Sequence, residues 1–234
     1  MAARRPLDPR YSSVRIPLTR FGLREIAVGS VVFLALIGLC IYLWPPAVAI
    51  AAVLWAGFLA FFRDPERRPP QDPDALLSPA DGVVRDVEEV APPGYLDSPA
   101  VRIGVFMSVF SVHVNRSPAA GTVEWTEHTP GRYLDARDGR ASVENEHNLV
   151  GVRLPDGGRL LVNQIAGAVA RRIVCAVAPG SRLAAGERIG MIKFGSRVEL
   201  FIPASNTYAV VVRPGDRVTA GLSVLARYRR EGDP

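Results

Sequence analysis

An eleven-residue segment, Pro179-Gly180-Ser181-Arg182-Leu183-Ala184-Ala185-Gly186-Glu187-Arg188-Ile189, returns 35 residues later as Pro214-Gly215-Asp216-Arg217-Val218-Thr219-Ala220-Gly221-Leu222-Ser223-Val224. An apolar run precedes each copy, Ile173–Ala178 and Ala209–Val212. Two like turns joined by like strands are supersecondary units of one shape, and such units bury their apolar faces against each other. The repeat therefore predicts the quasi-symmetric halves of a small sandwich or barrel. Between the copies stands a Gly195-Ser196 pair, flanked by strand-like runs at Ile189–Phe194 and Val198–Ile202.

The rest of the C-terminal part speaks the same language. Past Arg68-Pro69-Pro70-Gln71-Asp72-Pro73, short runs rich in valine and isoleucine alternate with glycine, proline and aspartate, which is strand-and-turn patterning. Strands are predicted at Val83–Val90, Val101–Val114, Gly121–Glu127, Arg159–Ile165, Val169–Val177, Val198–Ile202, Tyr208–Val212 and Leu222–Arg227. Pro155-Asp156-Gly157-Gly158 reads as a hairpin turn. No long amphipathic helix stands out, so the fold class is mainly β. The repeat resembles the barrel-sandwich architecture of biotinyl and lipoyl carrier domains. In those carriers a lysine between the repeats takes the cofactor, and Lys193 holds such a place in a loosely matching Met191-Ile192-Lys193-Phe194. The plainer reading makes Lys193 a solvated strand residue.

The N-terminal part is different in kind. Ile26 to Trp44 carries no charge over 19 residues, about 28 Å of helix against a hydrocarbon core of about 30 Å. Pro45-Pro46 breaks it, since proline withdraws a donor and restricts the residue before it. A second uncharged run, Ala47 to Phe62, ends at Arg63-Asp64-Pro65-Glu66-Arg67-Arg68. Helices apolar all round mean lipid or a deep core. The late start and the second run argue against a signal peptide. Arg15, Arg20 and Arg24 precede the pair, and Arg63, Arg67 and Arg68 follow it. The positive-inside tendency thus places both ends in the cytoplasm. The expected organisation is a basic segment at 1–25, a membrane hairpin at 26–62, a linker at 63–77 and a β-rich catalytic domain at 78–234. Whether the hairpin spans or dips into the bilayer is left open.

A net charge of +5 suggests an anionic partner. No aromatic-interleaved basic stripe or zinc-finger spacing argues for nucleic acid, so none is expected. Two cysteines, Cys40 and Cys175, cannot build a disulfide framework.

Glycine in a strand costs stability but lets another group approach its carbonyl. A hydroxyl directly after that carbonyl can attack it and convert the peptide bond to an ester, so Gly195-Ser196 is a candidate reactive pair, although most Gly-Ser pairs are turns. Three histidines are available. His113 follows the apolar run from Val105 to Val112, His128 sits in a turn-like place, and His147 lies in the polar patch Glu144-Asn145-Glu146-His147-Asn148. Asp81 stands in a turn, Ser78-Pro79-Ala80-Asp81-Gly82, that leads into a strand. An aspartate, a histidine and a serine can form a relay in which Asp81 orients His113 and His113 takes the proton of Ser196. No Gly-x-Ser-x-Gly elbow surrounds Ser196.

Taken in order, Phe62-Arg63-Asp64-Pro65, Ser78-Pro79-Ala80-Asp81-Gly82, Val112-His113-Val114-Asn115-Arg116, Gln164-Ile165-Ala166-Gly167 with Arg171-Arg172, and Phe194-Gly195-Ser196-Arg197 resemble phosphatidylserine decarboxylases of the short, membrane-associated form. The likeness runs from about Phe61 to Arg227.

The resemblance implies a proenzyme that cuts itself between Gly195 and Ser196. The Ser196 hydroxyl attacks the Gly195 carbonyl, β-elimination releases the upstream chain, and the dehydroalanine left behind hydrolyses to a pyruvoyl group. That pyruvoyl at Ser196 is the cofactor; no metal is implied. It forms a Schiff base with the head group of phosphatidylserine, releases CO2 and yields phosphatidylethanolamine, a step of phospholipid biosynthesis. Asp81 and His113 are implied as orienter and base, and Arg171, Arg172 and His147 as candidates for substrate binding. The partners implied are phosphatidylserine in the cell membrane and a large chain, 1–195, paired with a small chain, 196–234; higher oligomers are left open. Phe110 stands where many members carry a histidine, so the proton donor after CO2 loss is open among His113, His147 and water. Two other readings stay on the table: a membrane-tethered carrier or adaptor modified at Lys193, and a pyruvoyl decarboxylase acting on a soluble amino acid.

Overall fold

The computed structural model describes residues 18–168, 172–193, 195–205 and 207–229. They fall into two compact units that divide between Glu66 and Arg67.

The first unit is a helical hairpin. Thr19 caps a short 3₁₀ turn at Arg20–Gly22 by accepting from the Phe21 amide, and helix α1 runs on over Leu23–Leu43. It starts three residues before the uncharged run, taking in Arg24 and Glu25. Pro45-Pro46 then turns the chain into α2, Ala47–Phe61. The helices meet where Gly29 leaves no room for a Cβ against the Phe58 ring. Phe33 packs on Phe58 at 5.6 Å between centroids, and Trp55 Nε1 donates to Ser30 Oγ at 3.2 Å. Continuous with its 3₁₀ turn, the first helix spans 24 residues and is long and apolar enough to cross a membrane; the second is shorter.

The second unit is mainly β and follows the repeat. Its strands are β1 (Ala75–Leu77), β2 (Gly82–Val90), β3 (Ala100–Met107), β4 (Val114–Arg116), β5 (Gly121–Thr129), β6 (His147–Arg153) and β7 (Arg159–Ile165). They continue with β8 (Ile173–Cys175), β9 (Arg182–Leu183), β10 (Arg188–Ile192), β11 (Ser196–Pro203), β12 (Tyr208–Val210), β13 (Arg217–Val218) and β14 (Val224–Tyr228). One four-residue helix, α3 (Ala141–Glu144), interrupts them. Eight strands form an antiparallel, half-barrel sheet in the order β13-β2-β3-β11-β7-β6-β5-β9. Two three-stranded sheets, β1-β14-β12 and β4-β10-β8, complete the unit.

These orders are symmetric about the β11–β7 junction. β13 answers β9, β2 answers β5, β3 answers β6, and the two small sheets answer each other. The repeat shows why. Gly180 and Gly215 take φ of +90° and +99°, and Gly186 and Gly221 take +72° and +70°. All four lie in the left-handed region that glycine enters without penalty. The turns of the two copies touch, since a Cβ at Gly221 would lie 3.2 Å from the Gly186 Cα. Ser78-Pro79-Ala80 and Ser117-Pro118-Ala119 form a second matched pair: each serine hydroxyl donates to the alanine carbonyl two residues on, at 2.7 Å. Val84, Ile103, Val150, Val162, Val198 and Leu200 fill the core between the layers.

Two expectations change. The run Val101–Val114 is not one strand; β3 ends at Met107, and β4 begins in another sheet. Ser108 and Ser111 close the turn between them, with the Ser111 amide on the Ser108 carbonyl at 2.9 Å. The patch around His147, which read equally as a loop, opens strand β6.

Candidate active site

Strand β11 is buried along most of its length because it pairs with β3 on one side and β7 on the other. Its first residue, Ser196, lies opposite Met107 and is fully buried. The Ser196 hydroxyl donates to the Met107 Sδ at 3.4 Å. Just before it, Gly195 takes φ +56°, a conformation strained for any residue with a Cβ. Its carbonyl oxygen sits against Gly167, where a Cβ would overlap that oxygen and touch the Ala136 side chain at 3.3 Å. So Gly167 in Gln164-Ile165-Ala166-Gly167 is there for close backbone approach, a role that composition could not reveal.

The segment that carries Ala136 is clamped in place by Asn145. Its side chain accepts from the Leu134 amide at 2.8 Å and donates to the Leu134 and Ala166 carbonyls at 2.9 and 2.7 Å. Both the Gly167 seat and the segment over it are thereby fixed from one buried amide.

His113 lies in the turn before β4 and is fully buried. Its carbonyl accepts from the Ile192 amide at 3.2 Å, which ties it to the strand leading to Gly195. Its Nδ1 faces the Ser111 carbonyl at 2.9 Å. A carbonyl only accepts, so in the neutral ring Nδ1 carries the proton and Nε2 holds the basic lone pair. The Ser111 carbonyl thus orients the ring in this structure. Asp81 does not hydrogen-bond to it. Its carboxylate makes a two-point pair with Arg67 at 2.5 and 2.8 Å and accepts from the Ala220 amide at 2.7 Å. Asp81 therefore fixes its own turn against the second repeat copy, and that turn reaches β4 through the Arg116 amide on the Pro79 carbonyl at 2.9 Å.

The other face of β11 carries charge. Arg197 bonds Asp86 at 2.7 Å and Glu199 at 2.8 Å, with only 4% of its side chain exposed. Ser142 and Asn163 donate to the two Glu199 oxygens at 2.7 and 3.2 Å. Burial works to lower the Arg197 pKa, but Glu199 and Asp86 outweigh it and hold the guanidinium above its ordinary value. Gly104 leaves the space this pair occupies. The sequence showed no sign of the cluster, because its members are spread over β2, β7, β11 and the short helix α3.

The remaining candidates disperse. His147 pairs with Ile165, which pairs with Arg197. Paired residues share a face and neighbours in a strand alternate, so His147 lies on the charged face, across the sheet from Ser196. Its Nδ1 donates to the Asn145 carbonyl at 2.8 Å. Arg172 is exposed, and Arg171 lies outside the described residues. Phe110 is exposed to 84% in the β3–β4 turn. Lys193 is buried, at 7% exposure, instead of solvated, which is the wrong setting for a lysine that must meet a modifying enzyme.

Comparison with known proteins adds an independent line. A family model described as Phosphatidylserine decarboxylase matches residues 54–226. A phosphatidylserine decarboxylase proenzyme of Erythrobacter litoralis is 47% identical over 196 residues, covering 79% of this chain and 76% of the relative. A proenzyme of the same description from Symbiobacterium thermophilum is 43% identical over 204 residues, covering 86% and 91%.

Proposed function

The chain belongs to the phosphatidylserine decarboxylase family, and we propose that it is a self-processing, pyruvoyl-dependent carboxy-lyase that converts phosphatidylserine to phosphatidylethanolamine at the membrane. One observation carries the processing part of this reading: a fully buried serine follows a left-handed glycine whose carbonyl is seated on Gly167.

In the proposed sequence His113 draws the proton from the Ser196 hydroxyl through its Nε2. The oxygen attacks the Gly195 carbonyl carbon, and the acyl group moves from nitrogen to oxygen. Loss of the Ser196 α-proton then expels the Gly195 carboxylate and ends the large chain at Gly195. Hydrolysis of the dehydroalanine that remains releases ammonia and leaves a pyruvoyl group at position 196. Asp81 acts as a positioning residue, holding the turn against which β4 is registered.

The seat suits such a group. It is buried, and the side chains meeting at Ser196 Oγ and Met107 are neutral. When formed, the pyruvoyl group supplies an electrophilic carbonyl that takes up the amine of the head group and accepts the electrons left by CO2. The chain's own part is to exclude water from that carbonyl and to hold His113, through its carbonyl on the Ile192 amide, beside the strand that leads to Gly195. Arg172, exposed beside β8, and Arg171 are proposed to meet the anionic head group. The apolar helix at the N-terminus supports a place at the cell membrane, with the β unit in the cytoplasm by the flanking arginines.

The test is the intact mass of the purified protein beside a Ser196→Ala variant. The expected result is two chains, 1–195 and 196–234, the smaller blocked to Edman chemistry, with the variant whole. A single uncut parent chain sinks the mechanism. Decarboxylation of phosphatidylserine vesicles by the cut protein, with no turnover of free serine, tests the substrate.

A further inference from the structure

Three buried side-chain amides, to which the steps above give no part, form a chain that ends beside Ser196. Asn148 Nδ2 donates to Gln164 Oε1 at 3.0 Å, and Gln164 Nε2 donates to Asn115 Oδ1 at 2.8 Å. Asn115 Nδ2 then donates to the Met107 Sδ at 3.7 Å, the same sulfur that receives the Ser196 hydroxyl. None of these five residues is more than 4% exposed.

The direction of the chain is fixed. The Gln164 and Asn115 oxygens each hold the N–H of the amide before them, so neither can turn over alone without losing its bonds on both sides. The result is an N–H delivered to the Ser196 site and aimed by two amides behind it. Its present acceptor is a thioether, among the weakest available. Buried donors are ordinarily matched to oxygen. An N–H held this firmly on a sulfur is poised for an oxygen that gains charge later.

We infer that Asn115 donates to Ser196 Oγ when the ester breaks, with Met107 as the placeholder that keeps donor and oxygen on one atom until then. The inference rests on the self-processing reading above. In the elimination a base removes the Ser196 α-proton, and its electron pair becomes the Cα=Cβ bond. The Cβ–Oγ bond breaks, and Oγ leaves with the pair of electrons from that bond as a carboxylate oxygen of Gly195. The charge appears on the atom nearest the relay's end, in a seat closed to water. A neutral amide stabilises it without having a proton to lose.

The full chain is synthesised in a cell-free reaction with phospholipid vesicles, and release of the small chain is timed for the parent, Asn115→Leu and Gln164→Leu. Loss of one oriented donor to a developing oxyanion predicts release about 100-fold slower in Asn115→Leu. The ester should accumulate: hydroxylamine should split the waiting chain at 195/196 and leave a free Ser196 amine that Edman chemistry reads. Gln164→Leu, which keeps Asn115 but unpins it, should slow release several-fold and show the same ester. If Asn115→Leu does not fold, this second variant decides alone. Parental release in the variants, or slow release with no hydroxylamine-sensitive ester, overturns the role of Asn115. A parent that itself stays whole overturns the self-processing reading and this inference together.

Discussion

The Gly195 carbonyl oxygen rests on the Gly167 Cα, with no room for a side chain between them. The bond proposed to break is thus held by backbone contact from a different strand connection, while the attacking hydroxyl is held from β3 by Met107. Carbonyl and hydroxyl are positioned independently.

That independence makes Gly167→Ala a sharp test. The added methyl must push the Gly195 carbonyl away and leave Ser196 where it is. A displacement near 1 Å at a reacting centre costs about 100-fold. Intact-mass time courses should show the variant almost uncut, while its near-ultraviolet circular dichroism remains that of a folded chain. Cleavage at the parental rate would mean that the contact with Gly167 does not position the bond.

The buried charge cluster behind β11 is expected to act on stability and not on chemistry. Arg197→Met removes the closer of the two cations that Asp86 and Glu199 share, leaving Arg102 at 3.5 and 3.7 Å from them. Breaking a buried pair from one side costs about 3–5 kcal/mol. Denaturant midpoints on the Ser196→Ala background, which keeps the chain whole, measure this directly. Unchanged midpoints would show that Arg102 alone satisfies both carboxylates.

Alkaline stability should depend on Tyr208. Burial first, then Asp156 and Tyr228, push its pKa up from 10.0 to about 12. A group that binds its proton more tightly when folded contributes in full below its unfolded pKa and loses that contribution as pH rises through the folded one. Stability on the same uncut background should therefore decline between pH 10 and 12. Tyr208→Phe should flatten part of that decline, as read from denaturation midpoints at stepped pH. An identical slope in both proteins would assign the loss to other groups.

The helical hairpin should keep the protein on the bilayer after an alkaline carbonate wash. Replacing Val32, Leu36 and Leu39, all exposed on α1, by serine should move a large share of the chain to the supernatant. Retention in full would leave α1 with no part in anchoring.

Much of the fold could be read from the repeat, because matched turn glycines at a fixed spacing impose matched turns. Gly195-Ser196 was visible for the same reason, as the dipeptide between the copies. The β3–β4 break was hidden, since Val109 and Phe110 are apolar yet exposed and composition alone extends the strand through them. Asp81 was legible as a residue with a role, but its partner was not. Arg67 and Ala220 reach it from the two ends of the unit, and only the folded register brings them there. Asn115 and Gln164 stood in the segments that carry the resemblance, but their link through Met107 to Ser196 exists only in the folded register.

Strand β11 lies at the centre of the sheet, with ladders on both sides. If the chain is cut at its first residue, the native state loses a peptide bond but none of those ladders. The unfolded state loses far more, because its two pieces drift apart. Refolding then becomes a bimolecular encounter whose yield depends on concentration, whereas the uncut precursor folds as one chain. The mature protein would be a structure reached only once, through a precursor that no longer exists, and its lifetime would be governed by how slowly it opens and not by how readily it returns.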